Sequence, residues 1–375
     1  MSELRFLGTF GSTVDTDNYG ELTVDGAKTA IRIVGENLGG LMAARTLYGQ
    51  TVRGKVTCIE CVATGANWIL REESPSAYAT IFPHFVTHGP IFFDPDTNEI
   101  ASVSFRFSDI DVIFEQSDVF GTFQTTPELM EAILAARPIN TARDVGEIPL
   151  VSYFSGQQEV WSAQTVFGKI SVRNRCSYDA RDVFQHSLEM SIEFIEGLGL
   201  QGCIDKLVRA RQFLTVVAGR PQEINSISVA VRTAGVSSDA QPTRLDLVWC
   251  LSPAGPSDSD IEPRRFALPL SALHRTEEFT SVAIDWFERD EGWHWPRARY
   301  AECIESGDYY TGNRLVAAAN MFDLLPASAV PAVIEMDPAI AEAVAKSKAI
   351  FKVLPDSVER STPCVRIDVA SLESL

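Results

Sequence analysis

Two strings of the form Arg-Asp-x-x-x-His stand in this 375-residue chain, Arg181-Asp182 to His186 and Arg289-Asp290 to His294. A histidine titrates near neutrality and an arginine offers a planar fork of donors to phosphate or carboxylate, so a pair held together could move a proton beside a bound anion. The first string sits where Asp179 could cap a helix and Asp182 would suit that helix's positive end. The second brackets Gly292 and runs into Trp293 and Trp295, a setting that also suits a surface ion pair or a contact with those rings. His84 and His88, four apart on an expected strand, would share a face, as a two-histidine metal contact requires, but no acid or thiol stands beside them at ligand spacing. Seven cysteines are scattered, with one C-x-x-C at Cys58 and Cys61 and no second pair to complete a zinc site, so buried reduced thiols are expected. No nucleophile motif and no Walker-type loop is found, and neither a metal nor a cofactor is expected.

One stretch offers a cofactor alternative. Ala30 to Leu47 reads as the strand, glycine turn and helix of a dinucleotide-binding fold, with Gly35 and Gly40 in the first and third glycine positions and Glu60 where a ribose-binding acid would stand. Asn37 replaces the second glycine, the one that admits the pyrophosphate, and no βα alternation follows. In the competing reading Gly35 to Gly40 is a turn between antiparallel strands, and the flavin or nicotinamide reading is the lesser of the two.

The elements that would position these residues change character along the chain. Glu21 to Val24 and Thr29 to Val34 flank Asp25-Gly26, a strong hairpin signal. Val56 to Ala63, Tyr78 to Thr87 and the alternating Ser102 to Phe107 read as further strands. Pro127 to Ala136 reads as a short helix, and Val160 to Cys176 as strands. A helical pair is expected next: one helix from Asp179 with Phe184, Leu188, Ile192 and Ile195 on its apolar face, and one from Ile204 to about Ala218, stopped by Gly219-Arg220-Pro221. Ile227 to Arg232 and Arg244 to Leu251 return to strands. From Ser281 onward the apolar spacing is helical, with Leu315, Ala319 and Phe322, then Ile340, Val344 and Phe351. Half of the aromatic group Trp286, Phe287, Trp293, Trp295, Tyr300, Tyr309 and Tyr310 is expected to bury against the preceding body. The expected class is α+β: a β-rich amino-terminal region of sandwich or barrel-like subdomains with an inserted helical pair, then a helical carboxy-terminal segment, divided 1–150, 151–275 and 276–375.

The formal net charge of −18 opposes sequence-independent binding to nucleic acid or anionic membrane. Two small basic groups, Arg173 with Arg175 and Lys206 with Arg209 and Arg211, could form a local positive face. No signal peptide and no apolar run of membrane-spanning length is present, so a cytoplasmic location is expected.

The stretches YGQTVRGKVTCIECVATG (48–65), ASVSFRFSDIDVIFEQSDVFG (101–121), RARQFLTVVAGRPQEINSISV (209–229), VAIDWF (282–287) and NRLVAAANMFDLL (313–325) resemble, in that order, those of ApeA-type anti-phage proteins. The resemblance implies a β-rich region that senses or restrains, followed by a helical HEPN domain that cleaves RNA without metal. It implies an RNA substrate, a phage-derived trigger and a homodimer as partners, and it implies neither DNA nor membrane. HEPN ribonucleases are similar in using an Arg-x4-6-His arrangement near their last helices, where histidine takes the ribose 2′-OH proton and arginine steadies the phosphate. This chain has no histidine after His294, and its final segment stops before the closing helices of a full bundle. Arg289, Asp290 and His294, and behind them Arg181, Asp182 and His186, are the catalytic candidates that remain. Three readings stay open: a defence protein without an intact ribonuclease centre, a non-catalytic sensor or interaction module, and a ribonuclease assembled by dimerisation around Arg289 and His294.

Overall fold

The computed structural model describes residues 4–352 apart from 16–17, 36–37, 70–75, 98, 115–118, 137–143, 157–158, 179–183, 233–240, 254, 257–262, 265–267, 307–311 and 330–337. The elements are β1 (Leu4–Gly11), β2 (Asn18–Val24), β3 (Ala30–Gly35), α1 (Gly39–Ala43), β4 (Thr46–Thr51), β5 (Gly54–Ile59), β6 (Val62–Ile69), β7 (Ser76–Phe82), β8 (Phe85–Gly89) and β9 (Glu99–Phe107). There follow α2 (Ile110–Ile113), β10 (Phe120–Gln124), α3 (Pro127–Ala135), β11 (Leu150–Phe154), β12 (Glu159–Thr165), β13 (Gly168–Tyr178), β14 (Phe184–Leu198), α4 (Leu200–Ala218), β15 (Ile224–Arg232) and β16 (Thr243–Trp249). The rest is helical: α5 (Thr276–Glu288), α6 (Asp290–Glu305), α7 (Gly312–Asp323) and α8 (Pro338–Lys352). An α+β class with a β-rich amino-terminal region and a helical carboxy-terminal part is therefore what the chain adopts.

Among the described residues fourteen strands join in one antiparallel ladder, in the order β12-β13-β14-β9-β15-β16-β8-β5-β4-β1-β2-β3-β7-β6, and β10 pairs with β11 apart from it. Strand alternation then builds two cores. Successive residues of a strand face opposite ways, so in β5, β8 and β16 one face serves each core. Ile59, Phe85 and Leu247 bury in one cluster with α4 and α5, while Cys58, Val86 and Val248 pack in the other with Phe6, Phe10, Leu22 and Ile33. The two cores are thus joined by hydrogen bonds through shared central strands.

The helix expected over 179–195 is instead β14, antiparallel to β13 and β9. Leu188, Met190 and Ile192 are buried at every second position, whereas Ile195, assigned to the apolar helix face, is 68% exposed. Positions 184, 188 and 192 share a face at period 2 and nearly so at period 3.6, and Met190 is what decides for the strand. The helical pair is therefore one helix, α4, which ends at Gly219 as its sequence implies. Two expected strands each split in two. Val56 to Ala63 breaks at Glu60, which turns with φ +53°, and Tyr78 to Thr87 breaks after Phe82, where Pro83 has no N–H for the ladder.

The dinucleotide reading fails on topology. β3 runs antiparallel to both β2 and β7, and α1 is only five residues long before β4 begins. A parallel strand-helix-strand unit is what that reading needs. Glu36 and Asn37 lie outside the described residues.

Contacts divide the chain into two units, Met1–Asn320 and Met321–Leu375. In the first, α5 presents Phe279, Ala283 and Phe287 at i, i+4, i+8 to the larger core. Phe279 is fully buried with its ring edge-on to Phe114 and Trp161, and Trp161 Nε1 donates to Thr280 Oγ1 at 2.9 Å. Burying a side chain of this size stabilises by about 1.5–3 kcal/mol, so α5 is an integral wall of the β body. The expected aromatic burial is met by Phe287 and in part by Trp286, while Trp295 and Tyr300 stay exposed and Tyr309 and Tyr310 lie outside the described residues. The second unit holds α8, formed on the expected spacing, with Ile340 and Ile350 exposed.

Candidate functional site: the junction of α4 and α6

Arg289 closes α5 and precedes α6, whose first turn is broken by Glu291 with ψ 124° and Gly292 with φ +81°. Glycine meets no Cβ penalty in that region, so the chain turns sharply there before the regular helix from Trp293 onward. Arg289 folds back on its own helix, with Nη2 2.9 Å from Asp285 Oδ2, and its side chain is 59% exposed. Asp290 is nearly covered and accepts from Nη1 of Arg209 on α4. His294 sits half-buried with its ring 4.7 Å from that of Trp295.

No hydrogen bond or ion pair joins Arg289 to His294 among the described residues. Burial lowers the His294 pKa from its ordinary 6.5, and the Arg209 guanidinium lowers it further, so the imidazole is held neutral at physiological pH. Arg297, one helical turn on, lies 4.2 Å over the Trp286 ring and is pushed down to about 10, chiefly by burial and then by Arg289, with Asp285 opposing. A neutral imidazole beside a guanidinium could accept a proton near an anion, but here the Arg209 guanidinium is paired with Asp290.

The other candidates are elsewhere. Arg181 and Asp182 lie outside the described residues, and His186 stands on β14 opposite Cys176. His84 and His88 do not share a strand face. His84 sits in the break before β8, with Nδ1 3.2 Å from Glu60 Oε2, while His88 Nε2 donates to the Arg53 carbonyl at 2.9 Å and its ring packs on Phe6. Among the described residues no group of three or more histidine, cysteine or acidic side chains is arranged to hold a metal ion. Of the described cysteines, all free thiols, Cys58, Cys203, Cys250 and Cys303 are buried as expected, whereas Cys61 is half-buried and Cys176 exposed; burial raises Cys58 well above its ordinary value and pushes Cys61 and Cys203 up to about 12.

Neither basic group makes an open positive face. Arg173 pairs with Glu193 at 3.1 Å and Arg175 with Glu189. Lys206 lies 3.9 Å over the Phe167 ring, Arg209 meets Asp290, and Arg211 meets Glu305 at 2.5 Å. Sequence reasoning missed what these cations do together. Arg211 is only 4% exposed, its Nε donates to the Gln222 carbonyl at 2.5 Å, and the Gln222 side chain grips Asp109. The signal available was an arginine set among the apolar residues of α4, between Ala210 and Phe213.

A family model described as ApeA N-terminal domain 1 matches residues 5–281, which takes in β1 to the middle of α5. No curated protein and no solved structure matches the chain.

Proposed function

Because the chain belongs to the ApeA N-terminal domain 1 family, and so to the ApeA type of anti-phage protein, we propose that it is a sensing and regulatory region that works by binding a phage-derived trigger. In this reading it has no ribonuclease centre of its own at Arg289, Asp290 and His294. The helical segment after α5 is then the HEPN-like part of the chain, and the protein acts in the cytoplasm. One observation carries the reading: Arg289 is turned to Asp285 in an exposed ion pair, while Asp290 and His294 both lie beside Arg209. A catalytic pair must instead converge within reach of one reacting phosphate.

The test is growth and cellular RNA integrity in a bacterial host expressing the chain, beside Arg289→Ala and His294→Ala versions. The expected outcome is equal growth and intact RNA in all three, before and after phage challenge. Toxicity with RNA cleavage that both substitutions abolish would replace this reading with a ribonuclease, assembled by dimerisation if it depends on concentration.

A further inference from the structure

Arg209 and Arg211 stand two residues apart on α4, so their side chains leave the helix about 200° apart. Each reaches one end of the same neighbouring helix: Arg209 binds Asp290, the first residue of α6, and Arg211 binds Glu305, the last. The Arg211 arm continues inward. Its Nε donates to the Gln222 carbonyl, and the fully buried Gln222 donates through Nε2 to Asp109 Oδ2 at 2.6 Å and accepts from the Asp109 N–H at 3.1 Å. Asp109 is closed on its other side by the fork of Arg220, at 2.9 and 2.5 Å. Asp109 follows β9, the strand between β14 and β15 in the ladder, and the Arg220-Pro221-Gln222 segment leads into β15.

The geometry points to a clasp. α4 holds α6 by its two ends, and the clasp is keyed to the sheet through Gln222 and Asp109, so a change in the seating of β9 and β15 loosens α6 as a unit. The packing supports this division. α5 is fixed by fully buried Phe279 and Ala283, whereas α6 buries only Pro296, Ala301 and Cys303 and leaves Trp295 and Tyr300 largely in solvent. An element with little apolar burial that depends on ion pairs at its ends opens at lower free energy than the body it rests on. Opening the Glu305 end also leaves the buried Arg211 guanidinium without its carboxylate, which opposes partial release of that end. The use of the clasp, to report trigger binding to whatever follows α6, rests on the sensing role proposed above. Its mechanics do not.

Amide hydrogen exchange on the purified full chain tests it without phage or RNA. Glu305→Gln and Asp290→Asn each remove one charge and keep the side-chain shape, which avoids emptying the buried Arg211 site. The expected result is exchange at 290–305 faster by about tenfold in either variant and faster still in the double variant, with β4 and β5 unchanged. Reversing the outer pair, Arg209→Asp with Asp290→Arg, should restore slow exchange where Asp290→Arg alone does not. Unchanged exchange in α6, or an increase spread evenly over α6 and the sheet, would overturn the clasp while leaving the defence reading where it stands.

Discussion

At the level of single residues, the chemistry of this chain is decided by what each charged group is paired with. His294 is the clearest case. The imidazole is desolvated and faces Arg209, so its protonated form is disfavoured in the folded chain. The unfolded chain, with the ordinary value of 6.5, therefore binds the extra proton first as pH falls. His294 then contributes stability above pH 6.5 that is lost as pH drops from there through the lowered folded value. A histidine NMR titration should place His294 below 6.5, and Arg209→Gln should raise its midpoint only in part, since burial is the larger cause. A midpoint above 6.5 would mean that an acid faces the ring. The kind of pairing was legible, a surface ion pair for Arg289 and a ring contact for His294, but the partners Asp285 and Arg209 were not. The Arg-Asp-x-x-x-His spacing was visible, but spacing does not reveal that Glu291 and Gly292 break the helix between Arg289 and His294.

At the level of elements, legibility followed how strongly local chemistry specified one answer. The Asp25-Gly26 hairpin, α3 opened by Pro127 and the Gly219 stop of α4 formed where turn and cap residues placed them. β14 did not read as a strand, because its apolar positions 184, 188 and 192 satisfy helix and strand alike; pairing with β13 and β9 settled a choice the segment alone left open. Glycines on strands carry information of the same kind. Gly49 on β4 stands opposite Phe10 on β1, and a Cβ there would lie 2.5 Å from the fully buried Phe10 ring. The bare backbone of β4 is the seat of that ring. Gly49→Ala should lower unfolding stability by about 1–3 kcal/mol in a urea titration, through overpacking of the smaller core. A change within a few tenths of a kcal/mol would show that Phe10 can move aside.

At the level of the whole molecule, the shared central strands make the β body one mechanical object with two cores, and family membership gives that body its place in anti-phage defence. The class was legible from the change in apolar period near Ser281. The joining of the two halves through β5, β8 and β16 was not, because long-range pairing leaves little trace in any one segment. Across the body the arginines of α4 are committed to carboxylates of α6, and the net charge of −18 gives RNA no general attraction. The account therefore stands on the absence of RNA cleavage by the chain itself. The most direct measurement is incubation of the purified chain, at concentrations high enough to populate any dimer, with fluorescently labelled single-stranded RNA. The account predicts no cleavage above the protein-free control, with the chain and its His294→Ala version indistinguishable. Cleavage by the chain that His294→Ala and Arg289→Ala both remove would contradict it.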